Sequence, residues 1–449
     1  MRTPLRARGV TAAVAFSLVL AACGGGGDDT TTPEEEGTAE EPSAEGEDVT
    51  VSFLTHWPPE TVALLEEAAD AYSAEHDNFT FEVRAVPFGD LLTTVRAEAG
   101  GSAAPTISGI YDLWLPELVS DGIVAPAPGE LADEVAAEWT PGVVDAATVE
   151  GQIYGVPNEI NVYALNYHKD LLAEAGYDSP PADWDELVEM AEALSTDGRQ
   201  GFGLINSWAA GTVHPFASLL VSNGGELVVD GEPTLDTPEA LETFELVEQL
   251  IAAGTDPTMG TSDANTTGPF LDNFVSGNTA MIIMANWWES ALRSGMGEEA
   301  FENIATAPIP VGPSGETSRS ISYSWMTVVS ASASDAEQQA AWEFLTWLNG
   351  PDSGENGSSA MGDILQSMGI LPTRTSDIEA HQDRLGTPFL DGYVSVLDEA
   401  RPFPIVAGGQ EFTDALQRQL EELQFGQVSA AEAQEAAQSD AESILGSAG

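Results

Sequence analysis

The sequence predicts an α/β protein divided into two lobes, and three observations carry that prediction. Strand-like and helix-like segments alternate from Val49 onward, at the spacing of a largely parallel sheet covered by helices. The 449 residues exceed what one hydrophobic core usually organises. The 43% of hydrophobic residues, with 10 Trp, 16 Phe and 8 Tyr, give ample material to bury despite a formal net charge of −61.

Residues 1–22 place Arg2, Arg6 and Arg8 before an apolar run from Val10 to Ala22, which is too short to span a bilayer and reads as a signal peptide. The run ends Leu20-Ala21-Ala22-Cys23, a tetrad that resembles a bacterial lipobox. Cys23 is the only cysteine, so no intrachain disulfide or thiolate metal cluster can form. Its position predicts lipidation, with acyl chains anchoring the protein by about 0.8 kcal/mol per buried CH₂. Residues 23–48 are then the lipidated Cys and an acidic tether, because 24–48 hold no aromatic or branched aliphatic residue to bury.

In the body, Val49–Leu54 alternates as a strand and stops at His56-Trp57-Pro58-Pro59, and a helix follows with Val62, Leu65, Ala69 and Tyr72 on one face. Phe79–Val86 and Thr106–Ile110 read as further strands, with a helix over Leu91–Ala99 between them. Gly151–Leu172 reads as two extended pieces meeting near Asn158–Asn161. Asp183 opens a helix with Glu186 as its capping-box partner, and Thr237-Pro238 opens another that closes at Gly254. Strands are expected at Phe202–Ile205, Ala280–Met284, Ile304–Ile309 and Thr327–Val329. Ser334 and Glu337 frame a helix start, and two helices end the chain, the second capped by Ser429 and Glu432.

The charge comes from 74 Asp+Glu against 13 Lys+Arg, with Lys169 the sole lysine. It argues against a nucleic-acid partner, because phosphate neutralisation needs clustered cations. So acidic a surface suits high salt, where screening relieves self-repulsion, with biased genomic composition as the alternative.

Several segments, in this order, carry a resemblance. They are Gly151–Pro157 (GQIYGVP) with Ala164–Leu171 (ALNYHKDL), Pro180–Leu187 (PPADWDEL), Phe274–Met281 (FVSGNTAM), Gly369–Arg374 (GILPTR) and Arg401–Pro404 (RPFP). Behind a lipobox, they resemble the extracellular solute-binding proteins of ABC importers, family 1, the maltose-binding-protein-like sugar-binding lipoproteins. The likeness runs from about Val49 to Leu445, with Ala182-Asp183 departing from the more usual Pro-Thr. The resemblance implies a periplasmic-binding-protein-like type II fold, two lobes joined by three interlobe crossovers. It divides the chain into an N-lobe of 49–160 with 319–370 and a C-lobe of 161–318 with 371–449. It further implies a monomer on the extracellular face of the cytoplasmic membrane, periplasmic where an outer membrane exists. That monomer would capture a neutral sugar and pass it to the transmembrane subunits of an ABC permease.

A sugar site needs aromatic faces to stack on pyranose C–H groups, and carboxylates and amides to pair with hydroxyls. Loops at the C-terminal ends of strands are where to look. His56 and Trp57 follow the first strand, with capping of the N-lobe core as the alternative for Trp57. Tyr111 and Asp112 follow the third strand, at a family position that often hydrogen-bonds substrate. Glu159 and Asn161 flank the first crossover, where a hinge role is the alternative. Trp208 follows Phe202–Ile205, and Trp287 follows Ala280–Met284 at the spacing of the family's stacking aromatic. Tyr323 and Trp325 lie near the second crossover, where the family more often has glycines. Arg401 is suited to a ligand oxygen or to a surface acid. Trp114, Trp139, Trp184, Trp342 and Trp347 read as core.

Two other classes compete. A secreted glycoside hydrolase needs paired carboxylates, but among 74 acids some pair falls close by chance. No Gly-x-Ser-x-Gly, P-loop or His-Glu-x-x-His occurs, and the five histidines show no metal spacing. A binding protein without cofactor or metal is therefore expected, and not an enzyme. A polyol or polyamine on the same fold remains open, since aromatics with carboxylates also suit a polyamine.

Overall fold

A computed structural model describes residues 48–101, 103–196, 198–263 and 267–448. The signal peptide over 1–22, the lipidation site Cys23 and the tether up to residue 47 lie outside the described residues.

The parallel strands β1 (Val49–Thr55), β2 (Phe79–Ala85) and β3 (Ile107–Tyr111) open the fold, with β1 between the other two. After the short β4 (Val124–Ala125), a two-residue turn at Glu150-Gly151, both at positive φ, joins β5 (Thr148–Val149) to β6 (Gln152–Ile153). Next come β7 (Gly155–His168), β8 (Gln200–Gly203) and the pair β9 (Val228–Val229) and β10 (Glu232–Pro233). The chain continues through β11 (Thr279–Ala285), β12 (Ile304–Ala307), β13 (Ile321–Ser330), β14 (Leu371–Pro372) and β15 (Arg401–Pro402). The main sheet runs β2-β1-β3-β13-β7-β11-β8.

Strand β7 belongs to two groups of strands. Its first part, Gly155 to Val162, pairs antiparallel with β13, and its second, from Tyr163, pairs with β11 and β12. The two extended pieces expected around Asn158–Asn161 are thus one continuous strand. β14 adds to β7 at Glu159-Ile160, and Thr327–Val329 proves to be the interior of the ten-residue β13.

A large core containing Leu54, Ile110, Leu165, Phe202 and Ile283 runs across both groups, and each group has a further core of its own. Val51, Phe53, Leu65, Tyr72, Phe344 and Leu345 pack around β1. Ile282, Met284, Trp288, Phe274 and Tyr393 pack around β11. Side chains of this size gain about 1.5–3 kcal/mol each on full burial. Helix starts follow the local chemistry. Ser334 Oγ accepts from Glu337 N, and Ser334 N donates to Glu337 Oε2 at 2.8 Å, closing a capping box. The same exchange occurs between Ser429 and Glu432. In the last helix, Ala430–Ala448, the small residues Ala433, Ala437 and Ala441 repeat every four positions and are buried, which lets Gly409–Gln424 pack closely beside it. Trp114, Trp139, Trp184 and Trp342 are buried. The Trp114 and Trp139 indoles donate to Gln410 Oε1 and to the Pro157 carbonyl.

Candidate functional site

Pairing register explains why separate stretches of sequence meet. Side chains two apart on a strand share a face, so Tyr323 and Trp325 of β13 project together. Their partners across the sheet are Asn161 and Glu159 of β7, and Trp325 also faces Tyr111 of β3. These five residues line one cavity of about 490 Å³. His56 and Trp57 join them from the end of β1, held by a loop whose Pro58-Pro59 leads directly into the helix Pro59–Ser73. Trp208, immediately before the helix Ala209–Ser222, and Trp287, in the tight turn after β11, complete the lining from the sequence-predicted set.

The aromatic groups form one connected network, joined through Tyr111 and Tyr323, whose rings meet edge-to-face at 5.5 Å. His56 lies 4.2 Å from the Trp325 ring centre, and Trp325 stacks at 6.0 Å on Tyr111. Trp208 meets Trp287 edge-to-face at 5.9 Å, and Trp287 Nε1 donates to the Tyr323 hydroxyl at 2.8 Å. His214 bridges inward, its Nε2 3.1 Å from the Tyr111 hydroxyl and its Nδ1 3.0 Å from that of Tyr163.

Asp112 and Arg401 do not line this cavity. Asp112 is one residue beyond Tyr111 and turns into the sheet, where Oδ2 accepts from Ser324 N at 2.6 Å. Arg401 lies on β15, paired with the Ile321 end of β13, and borders a second cavity of about 630 Å³ with Asp145, Leu227 and Phe403. Lining residues that sequence reasoning missed include Glu60, Phe88, His214, Ser290, Met368 and Ile370. His214 sits in a buried apolar helix, one of five scattered histidines, and gives no local signal, whereas Met368 adjoins the GILPTR segment and Ile370 lies within it, so both were within reach.

Burial dominates the electrostatics. It raises the Glu159 carboxyl to about 8, reinforced by nearby Asp112 and opposed by the Asn161 side chain. Asp112 is likewise raised to about 8. Burial lowers His56 to about 4 and His214 to about 3, so both imidazoles are neutral at pH 7. Four lining atoms are buried without a hydrogen-bond partner: His56 Nδ1, Glu159 Oε2, Asn161 Oδ1 and Trp208 Nε1. Buried polar atoms are normally paired. An aromatic-walled cavity with several unsatisfied donors and acceptors suits a hydroxylated ligand. Among the described residues, no group of three or more His, Cys, Asp or Glu is placed to hold a metal ion, and no helix is long and apolar enough to cross a membrane.

Comparison with known proteins agrees with this architecture. Residues 67–376 match the family model described as bacterial extracellular solute-binding protein. A protein of Brucella abortus named as a binding protein is 27% identical over 86% of this chain and 90% of its own length. The lactose-binding protein of Rhizobium radiobacter is 26% identical, covering 66% of this chain and 69% of that protein. The GacH receptor of Streptomyces glaucescens, solved unliganded and with acarbose, superposes with a TM-score of 0.76 at 23% identity, covering 88% of this chain and 98% of that one.

Proposed function

The chain belongs to the bacterial extracellular solute-binding proteins, and we propose that it captures a sugar or oligosaccharide for an ABC importer. The observation that carries this reading is the 490 Å³ cavity, in which Trp57, Trp208, Trp287 and Trp325 surround four unpartnered polar atoms. The rings supply stacking faces, and the polar atoms supply partners for hydroxyls. A relative that binds lactose and a structural relative that binds acarbose support the same class.

Residues 49–160 with 319–370 form the N-lobe and 161–318 with 371–449 the C-lobe. The crossovers lie within β7, at the start of β13 and at β14. Rotation about them opens and closes the cavity, bringing Trp57 and Trp325 toward Trp208 and Trp287. Ligand favours the closed form through contacts available only there. The closed monomer docks on permease transmembrane subunits, tethered through lipid on Cys23 at the outer face of the cytoplasmic membrane. Its work is binding and not catalysis, and it needs no cofactor.

A thermal-shift screen of the purified full-length protein, at low and multi-molar salt, tests the reading. The panel holds mono-, di- and trisaccharides, polyols, polyamines, amino acids and short peptides. A ligand at 100 times its Kd adds about 2.7 kcal/mol and raises the melt by a few degrees. Stabilisation by a saccharide is expected, and a response to polyamine or peptide alone would overturn the sugar assignment while keeping the fold.

A further inference from the structure

Glu159 is 3% exposed, lines the cavity, and has an Oε2 with no partner. Its surroundings offer no compensating charge. No Lys or Arg is among the described residues lining the cavity, and the other carboxylate there, Glu60, is exposed. Behind Glu159 lies Asp112, 4% exposed, whose Oδ1 is also unpartnered and whose charge opposes ionisation of Glu159. The remaining titratable neighbours are His56 after β1, Tyr111 on β3, Tyr323 on β13 and His214, none of which is cationic at neutral pH. A buried carboxylate is costly unless something offsets its lost hydration. The walls point the same way, since four tryptophans and two tyrosines present π faces that attract a cation.

We propose that the preferred ligand is a saccharide carrying a protonated amine, with its ammonium seated against Glu159 Oε2 and the aromatic rings on its C–H faces. The proposal rests on the saccharide reading above and narrows it to amino sugars or oligosaccharides that contain one. In the free protein, burial keeps a proton on Glu159. The arriving ammonium stabilises the carboxylate, so the carboxyl proton leaves to bulk water as the ion pair forms. The buried pair is shielded from salt far more than a surface pair is, which suits so acidic a protein.

Titration calorimetry on the full-length protein at pH 6.5, in buffers of different ionisation enthalpy, tests this. The probes are glucose, galactose and mannose, their 2-amino and 2-acetamido counterparts, and the β-1,4 dimers of glucose, glucosamine and N-acetylglucosamine. The amine member of a matched set should bind at least about tenfold tighter than both neutral members, with release of nearly one proton per ligand. In Glu159→Gln that preference should fall to near unity, with a much smaller change for the neutral members. Equal or tighter binding of a neutral member overturns the proposal and leaves the saccharide reading standing. Binding of no member overturns the amine proposal, and the thermal-shift screen then decides the saccharide reading separately. Should Glu159→Gln not fold, the wild-type protein still decides, because amine binding without proton release overturns the assignment to Glu159.

Discussion

Trp287 Nε1 donates to the Tyr323 hydroxyl across 2.8 Å, although the two residues reach the cavity from different strands, one after β11 and the other within β13. The bond fixes the indole plane that faces the cavity, and Trp208 leans edge-on against it at 5.9 Å. Removing this ring should weaken saccharide binding by about 2 kcal/mol or more in Trp287→Ala, the usual loss for a buried aromatic anchor. Trp287→Phe keeps a smaller aromatic face and loses the donor to Tyr323, so a loss of about 1 kcal/mol, less than in the alanine variant, is expected there. Titration calorimetry with the saccharide found in the screen measures both, and an unchanged affinity in Trp287→Ala would remove Trp287 from the site.

The His214 imidazole holds two hydroxyls, Tyr111 on one nitrogen and Tyr163 on the other. A neutral imidazole has one N–H, so one tyrosine accepts and the other donates. His214→Leu leaves both buried hydroxyls short of a partner, Tyr163 keeping only the Tyr323 side chain, and should cost about 1–3 kcal/mol in all. Adding Tyr111→Phe and Tyr163→Phe removes the orphaned groups, so the triple variant should be more stable than His214→Leu alone. Urea unfolding of the series checks the order, and a triple variant less stable than the single one would show that packing, not hydrogen bonding, dominates there.

How much of this was readable in the sequence depends on whether a signal is local. β1, β2 and β3 lie within a residue of their expected bounds, because alternation and flanking turns are local properties. The Ser334–Glu337 and Ser429–Glu432 caps are likewise short-range chemistry. Trp208 and Trp287 were found from their position after a strand. The resemblance supplied the two-lobed fold, which periodicity alone could not distinguish from other α/β arrangements. Asp112 turns away from the cavity because β3 ends at Tyr111 and the chain enters a tight turn over Asp112–Trp114, where Ser324 N holds the Asp112 carboxyl, a long-range contact invisible along the chain. His214 enters only through the packing of a helix that is buried on every side.

The folded stability should carry opposite pH signatures at Glu159 and His56. Burial raises Glu159 from 4.5 to about 8, so its contribution is fully present below about 4.5 and is lost as pH rises through 8. Burial lowers His56 from 6.5 to about 4, so its contribution is present above 6.5 and is lost as pH falls through 4. The melting temperature of Glu159→Gln, relative to wild type, should therefore climb by about 2 °C or more between pH 5 and pH 8.5. His56→Gln should gain on wild type only on the acid side. Differencing against wild type at each pH cancels the self-repulsion of the acidic surface, so parallel curves across this range would mean that neither group is shifted.

Gly211 offers a way to disturb the site without altering a lining side chain. It lies in the first turn of Ala209–Ser222, and a Cβ there would overlap the Trp208 ring. The backbone itself favours the change, since alanine is better than glycine in a helix by about 1 kcal/mol. The obstacle is the indole, which is 5% exposed and packed against Phe270 and Trp287, so it has little room to give. Gly211→Ala should therefore displace Trp208 toward the cavity and lower saccharide affinity by about tenfold, an energy of about 1.4 kcal/mol. The helix gain should hold the melting temperature near the wild-type value. Restoring space with Gly211→Ala in a Trp208→Phe background should then cost little further affinity. If the single variant binds as wild type does, Trp208 is not held in place by the helix and its part in the site falls away.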